Sequence, residues 1–277
     1  SGALNLAIRN QPVEGGHQLS GSLDAAQFVA TSHGQDLRWE QPIRIDFETM
    51  LAGHQFRIDR LECKADFCQI TARGDMQDLR AEAQFDLSRL AGQLGQFIDL
   101  GAWQPAGTGT AQLVWQKTAD GKFAADSSFH LDRFALQSGG TTVWEEPQLQ
   151  ITTTVQGVLE QTGRLLRLDA GELQLRAGDD ALDATLQGEI DFEKESPLWS
   201  LAVGARGHIG RWLARAHPVV NTTAWQVEGE LDLNTEFRLA AEQLDVSSCK
   251  LIVTDLHGQG AGWKIDEPHV ELTGDFR

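Results

Sequence analysis

Leu182-Asp183-Ala184-Thr185-Leu186-Gln187-Gly188-Glu189-Ile190-Asp191-Phe192 sets an apolar or small residue at every even position and a polar one at every odd position. A period of two belongs to a strand with one apolar and one wet face. The stretch predicts one continuous 11-residue strand, about 37 Å long at about 3.4 Å per residue. The same alternation extends outward in both directions. It recurs at Leu149, Ile151, Thr153 and Val155, at Leu166 and Leu168 and then Leu173 and Leu175, at Trp199, Leu201, Val203 and Ala205, and at Val227, Gly229, Leu231, Leu233, Thr235 and Phe237. Earlier in the chain come Leu4, Leu6 and Ile8, then Ile43, Ile45 and Phe47, then Leu79, Ala81, Ala83, Phe85 and Leu87. Turn signals such as Glu14-Gly15-Gly16, Asp120-Gly121, Ser138-Gly139-Gly140 and Ala177-Gly178-Asp179-Asp180 separate the runs. Buried parallel strands would read as unbroken apolar runs, so one-faced alternation with short turns predicts an antiparallel meander.

Two segments change period. Leu87, Leu90, Leu94, Phe97 and Ile98 lie at helical spacing, as do Ile209, Trp212, Leu213 and Ala216. Asp86 suits the N-cap of the first helix, and Pro218 ends the second. These segments are copies: residues 88–107 lie without a gap on residues 210–229, 122 positions later, with Arg89/Arg211, Ala102/Ala224, Trp103/Trp225, Gln104/Gln226 and Gly107/Gly229 identical. A second landmark, Trp followed by an acidic residue and Pro, stands at Trp39-Glu40-Gln41-Pro42, at Trp144-Glu145-Glu146-Pro147, and between Trp263 and Glu267-Pro268. Repetition of this length predicts one supersecondary unit stacked along an axis. The fold class expected is therefore mainly β: an elongated, curved antiparallel sheet of long meander strands with one short amphipathic helix per repeat. Residues 1–87 match the later part of a unit, 88–209 a complete unit, and 210–277 the earlier part of the next, within one continuous body.

Composition narrows the function. The chain has 277 residues and a formal net charge of −17, with 23 basic residues spread thinly. No basic stripe exists to neutralise phosphates, which excludes nucleic acid as a natural partner. No run approaches 18 apolar residues, so no membrane-crossing helix is expected. Cys63 and Cys68 are five residues apart and would face opposite sides of a regular strand; they read as small apolar residues.

No catalytic or metal-binding pattern is present. The chain has no G-x-S-x-G, no phosphate loop and no H-E-x-x-H, and its glycine triplets lie among strand residues. His54, His130, His208, His217, His257 and His269 are scattered, without a second His or Cys at ligand spacing. The expectation is a protein that is not an enzyme and carries no cofactor or metal.

The Asp86-Leu87-Ser88-Arg89-Leu90 run leading to Trp103, the segment Asp66 to Gly74, the Leu251-Ile252-Val253 strand and the Trp263 to Leu272 strand together resemble the AsmA family, grouped with TamB-like and other repeating β-groove proteins of the bacterial envelope. The resemblance covers essentially the whole chain. It implies a taco-shaped antiparallel sheet in the periplasm, tied to the inner membrane by an N-terminal helix that this sequence lacks, whose apolar groove carries lipid acyl chains toward the outer membrane. On that reading the groove is lined by Leu149, Ile151, Val155, Leu166, Leu168, Leu173, Leu175, Leu182, Leu186, Ile190, Phe192, Leu201, Val203, Leu231 and Leu233, and the partner is phospholipid or another acyl-chain ligand. From the residues alone the apolar face has two fates, packed as a closed core or open to an apolar ligand. The first gives a structural or adhesive β-array; a third reading, from the tryptophans and carboxylates, is a carbohydrate-binding β-protein.

Overall fold

The computed structural model describes residues 3–276 apart from 27, 33–34, 40, 54, 96–100, 217–224, 241–242 and 261. It is built almost wholly of strands: β1 (Ala3–Val13), β2 (Gly16–Ala26), β3 (Phe28–Ser32), β4 (Gln35–Trp39), β5 (Ile43–Ala52), β6 (Gln55–Lys64), β7 (Cys68–Asp75), β8 (Asp78–Asp86), β9 (Trp103–Lys117), β10 (Lys122–Ser138), β11 (Thr141–Leu159), β12 (Leu165–Ala177), β13 (Asp180–Leu186), β14 (Ile190–Asp191), β15 (Leu198–His208), β16 (Trp225–Ala240), β17 (Gln243–Gly260) and β18 (Trp263–Phe276). Helix α1 (Leu87–Leu94) follows β8 and helix α2 (Ile209–Ala216) follows β15. Fifteen strands join in chain order from β1 to β18 in one antiparallel sheet, with the β3–β4 hairpin standing apart and β14 attached to β12. The sheet is curved and does not close.

The repeat is carried into backbone conformation. Arg133 and Asp255, the two non-glycine residues with positive φ among those described, both have φ of 51° and lie 122 positions apart. Each is a bulge residue where the ladder slips against the preceding strand. Opposite them stand Gly107 (φ 125°) and Gly229 (φ 136°), where a side chain would meet the backbone oxygens of the bulge at about 3 Å. Only glycine meets both demands. Across from the same bulges on the other side lie Pro147 and Pro268, which have no N–H to give to the ladder. That accounts for the prolines of two copies of the landmark; Pro42 stands before β5 and faces no such bulge. The landmark's tryptophan is not part of the device: Trp144 is the pair of Leu136 inside β11, whereas Trp263 opens β18 opposite Gly260. Glu40 and the side chain of Trp39 lie outside the described residues, as do Phe97, Ile98, Pro218 and the side chain of Leu94.

The expected continuous strand over 182–192 is corrected. β13 stops at Leu186, the Gln187 N–H makes a last bond to the Ser200 carbonyl, residues 188–189 leave the ladder, and Ile190 and Asp191 pair with Leu168 and Arg167 of β12. The cause lies in the partner strand, where β12 shifts register near Ala170 and its apolar positions change from odd (Leu173, Leu175) to even (Leu168). The first helix is also shorter than the spacing over 87–98 suggested, ending at Leu94 with its Gly95 N–H bonded to the Ala91 carbonyl. Its cap is as expected: Asp86 Oδ1 accepts from the Arg89 backbone N–H at 3.0 Å. Cys63 and Cys68 share a face, because a turn over 65–67 separates them and they pair with Ile70 and Phe85. Both are free thiols, and burial raises the pKa of each.

Little of this chain is interior. Nine apolar residues are buried among those described. The solvent-accessible surface is 17820 Å², against about 12,000 Å² for a compact monomer of this mass. A compact domain of this length would have a radius of gyration near 19 Å. Small-angle scattering should return a value clearly above that; the compact value would contradict an open sheet.

Candidate functional site: an uncovered apolar face

In an antiparallel ladder, directly opposed residues project from the same face. The pairings therefore define rows that run across the sheet at right angles to its strands. One row reads Leu6, Leu23, Ile45, Cys63, Ile70, Ala83, Ala111, Phe129, Ile151, Leu175, Leu182, Ala205, Leu233, Leu251 and Leu272. It takes one residue from each of the fifteen strands of the main path and is apolar at every one. At about 4.8 Å between strands its length is about 67 Å.

Two further rows widen the stripe. The next includes Phe47, Leu61, Ala72, Ala81, Leu113, Leu173, Ala184 and Val203. Of its polar members, Ser127 and Thr153 bond each other at 2.6 Å, and the Thr235 hydroxyl donates to the Ser248 carbonyl at 3.0 Å. The third includes Leu79, Trp115, Ala125, Val155, Leu201 and Phe237, with Leu186 opposite Leu201. The opposite face is wet: Ser22, Asp46, Glu62, Thr71, Glu82, Gln112, Ser128, Thr152, Gln174, Asp183, Asn234, Lys250 and Thr273 form one row, non-polar only at Ala7 of β1 and Gly204 of β15.

Of the fifteen residues in the central apolar row only Ala205 is buried. Phe129 is 40 % exposed, Leu272 46 % and Leu6 58 %. The residues named from sequence divide accordingly. Ile151, Leu175, Leu182 and Leu233 lie in the central row, Leu173 and Val203 in the second, and Val155, Leu186 and Leu201 in the third. Leu231 pairs with Val253 on the helix side of the stripe, Leu168 pairs with Ile190 at the other end, and the Leu166 carbonyl accepts from the Phe192 N–H. Leu149 and Ile190 are corrected: at 2 % and 1 % exposure they are core residues and line nothing open. Leu149 belongs with Leu131, Phe134 and Ala177 to a small core into which Leu87 of α1 also packs.

Aromatic pairs bound the aliphatic stripe. Phe134 and Trp144 meet edge to face with centroids 5.0 Å apart at the helix side, while Trp115 stacks on Phe123 at 4.9 Å and Phe192 meets Trp199 at 6.1 Å at the other. Indole N–H groups are used internally: Trp144 donates to Glu146, Trp115 to the Met76 carbonyl and Trp212 to the Arg206 carbonyl. Trp115 and Trp144 are built into strands β9 and β11, and Trp212 of α2 is tied to β15, rather than presented as platforms. Among the described residues no group of three His, Cys, Asp or Glu side chains gathers as metal ligands.

The helix side of the stripe carries a feature that sequence reasoning missed. Asp180, fully buried in the β12–β13 turn, accepts from Arg211 Nε at 2.6 Å and Nη2 at 2.7 Å and from the His208 backbone N–H at 2.9 Å. Arg215 Nη1 lies 2.7 Å from the same carboxylate, and Arg215 Nε donates to Glu146 on β11 at 2.6 Å. The Arg215 guanidinium sits 4.7 Å from the centre of the Trp212 ring. Two carboxylates and two guanidiniums thus strap α2 across the strand ends from β15 to β11. Burial alone would raise the Asp180 pKa, but Arg211, the His208 N–H and Arg215 outweigh it and hold it at about 2. The one sequence signal for this strap was the repeated Arg89/Arg211; Arg89 reaches the Asp66 carbonyl at 3.2 Å, also in a turn two strands back.

Comparison of the chain with protein-family models, with curated proteins and with solved structures finds no match.

Because the folded Asp180 pKa lies below its ordinary value of 3.8, the strap adds stability above that pH and loses it as pH falls from about 4 to about 2. The linked loss is about 2 kcal/mol. Denaturant titrations at pH 7 and pH 3 should show about half of this component, about 1 kcal/mol, in the parent and none of it in Asp180→Asn. At pH 7 that variant should be less stable by about 2 kcal/mol, since Arg211 and the His208 N–H lose the charge they bond while Arg215 keeps Glu146.

Proposed function

We propose that this chain is a non-enzymatic, lipid-binding segment of a bacterial envelope protein of the AsmA or TamB-like kind, holding acyl chains of phospholipid against its apolar face. The observation that carries the reading is the apolar row that crosses all fifteen strands with only Ala205 buried. Monomeric proteins rarely expose contiguous apolar surface of more than a few hundred Å², and a larger patch marks a binding surface. The row's length of about 67 Å is roughly twice the hydrocarbon thickness of a bilayer, about 30 Å, so it accommodates several acyl chains end to end. An aliphatic stripe with few large rings suits chains that remain conformationally disordered. The periplasmic location, and attachment to the inner membrane through a segment outside this sequence, come from the family resemblance and belong to the same proposal.

The structural-array reading requires the chain's own side chains to cover that face, and the exposures of Phe129, Leu173 and Leu272 weigh against it. Native mass spectrometry of gently purified protein tests the proposal. Phospholipid should remain bound to the parent and to Gln150→Glu on the wet face. Phe129→Glu, which sets a charge among aliphatics, should retain at least about tenfold less, equivalent to about 1.4 kcal/mol. Lipid-free parent protein, or equal retention by both variants, rejects the lipid reading, and retention on a glycan column would favour the carbohydrate one.

A further inference from the structure

Beside the strap lies a cavity of about 870 Å³ between β11, the β12–β13 turn and α2, with Glu145, Ala177, Asp179, Arg211 and Arg215 in its lining. Ala177 brings it up to the apolar stripe. It stands two residues from Leu175 of the central row on the same face of β12, about 7 Å away, and both residues pack in the small core around Leu149.

The strap leaves donors unused on one side of this cavity. The Arg215 side chain is 6 % exposed; its Nε is taken by Glu146 and its Nη1 lies beside Asp180, but Nη2 is buried with no hydrogen bond. Arg211 commits Nε and Nη2 to Asp180, which leaves its Nη1 for the cavity. A buried guanidinium donor beside open space calls for an acceptor from outside the chain, because its lost hydration is otherwise unrecovered.

The lining also carries charge that the strap does not cancel. Glu146 and Asp180 balance Arg211 and Arg215. Glu145 and Asp179, the sequence neighbours of the two strap carboxylates, are exposed and have no ion-pair partner among the described residues. A simple anion would satisfy the free donors but meet two uncompensated carboxylates. A simple cation would leave the donors unmet. A ligand with an oxyanion and an ammonium group satisfies both.

We propose that this cavity is a headgroup site for a zwitterionic phospholipid, with phosphodiester oxygens against Arg211 Nη1 and Arg215 Nη2, the ammonium at Glu145 and Asp179, and the acyl chains passing Ala177 and Leu175 onto the stripe. The inference rests on the lipid reading above and adds selection against anionic headgroups.

Native mass spectrometry of the intact chain, loaded from vesicles of equal parts dipalmitoyl phosphatidylethanolamine and dipalmitoyl phosphatidylglycerol, separates headgroup preference from retention because the two lipids have the same acyl chains. The parent should retain the ethanolamine lipid about fivefold over the glycerol lipid, the scale of one or two exposed ion pairs. Glu145→Gln with Asp179→Asn should hold as much total lipid without the preference. Glu82→Gln with Glu172→Gln, which removes the same charge from the wet face, should keep it, so that a local site is distinguished from the net charge of −17. Equal retention of the two lipids by the parent overturns the headgroup site and leaves the lipid reading standing. So does a preference that survives the Glu145 and Asp179 changes or is lost with the wet-face pair. A parent that holds neither lipid rejects both readings, and if it then binds soluble phosphoethanolamine the cavity takes a free phosphoester instead.

Discussion

Side-chain parity is preserved by the ladder across every strand of the main path, and both the apolar stripe and the wet face exist only because of it. A slip of one residue anywhere would turn every later apolar side chain to the wet face. The chain does not avoid irregularities; it compensates them. In β6 the apolar face is held by Leu61 and Cys63 on one side of a bulge and by Ile58 and Phe56 on the other, the change from odd to even numbering matching the inserted residue. Strand β17 does the same between Val246 and Cys249. Curvature and a continuous apolar row coexist because each bulge coincides with a change of phase in the sequence.

This explains why so much of the fold was legible and where reading failed. Strands, turns, the two helices, the Asp86 cap and the 122-residue repeat follow from short-range patterns that the chain displays directly. The phase changes at Leu168/Leu173 and at Ile58/Leu61 are visible too, as pairs of polar or small residues that break alternation. The segment 182–192 misled because it keeps perfect alternation itself, while the break is imposed by β12. Leu149 and Ile190 alternate with polar neighbours just as Ile151 and Leu182 do. What separates core from open face is whether a helix or an adjoining strand lies over them, which alternation does not encode. The strap was illegible for a related reason: Asp180 reads as a turn residue, and the bonded partners of the strap stand 28 to 69 positions apart.

The two helices occupy equivalent places but are held differently. Counting by the repeat, Arg215 corresponds to Gln93, and the Trp-acidic-Pro landmark sets Glu146 against Gln41. The charged pair of the second unit thus stands where the first has two amides. Gln93 Oε1 is buried with no hydrogen-bond partner among the described residues; Arg215 is nearly inaccessible and donates to Glu146 through Nε, while its Nη1 and Nη2 are buried without a hydrogen bond, Nη1 lying 2.7 Å from the Asp180 carboxylate. Helix α1 gains instead from Leu87, which packs into the core around Leu131 and Phe134. No residue of α2 is buried in its apolar stripe to the degree that defines a core.

That difference bears on why charge is used at all. A buried ion pair contributes little net stability against a well-packed apolar replacement, because desolvation offsets most of the attraction. Its distinguishing property is direction: Asp180 receives Arg211 and a backbone N–H in hydrogen-bonding geometry, and Glu146 receives Arg215 Nε from the far side of the turn. An amphipathic helix held only by apolar contact beside an uncovered apolar stripe has an alternative site a few ångströms away, since the stripe would accept its apolar side equally well. Two carboxylates at the strand ends remove that degeneracy. They fix α2 at the rim, and the central row beneath the strand ends stays accessible along the sheet.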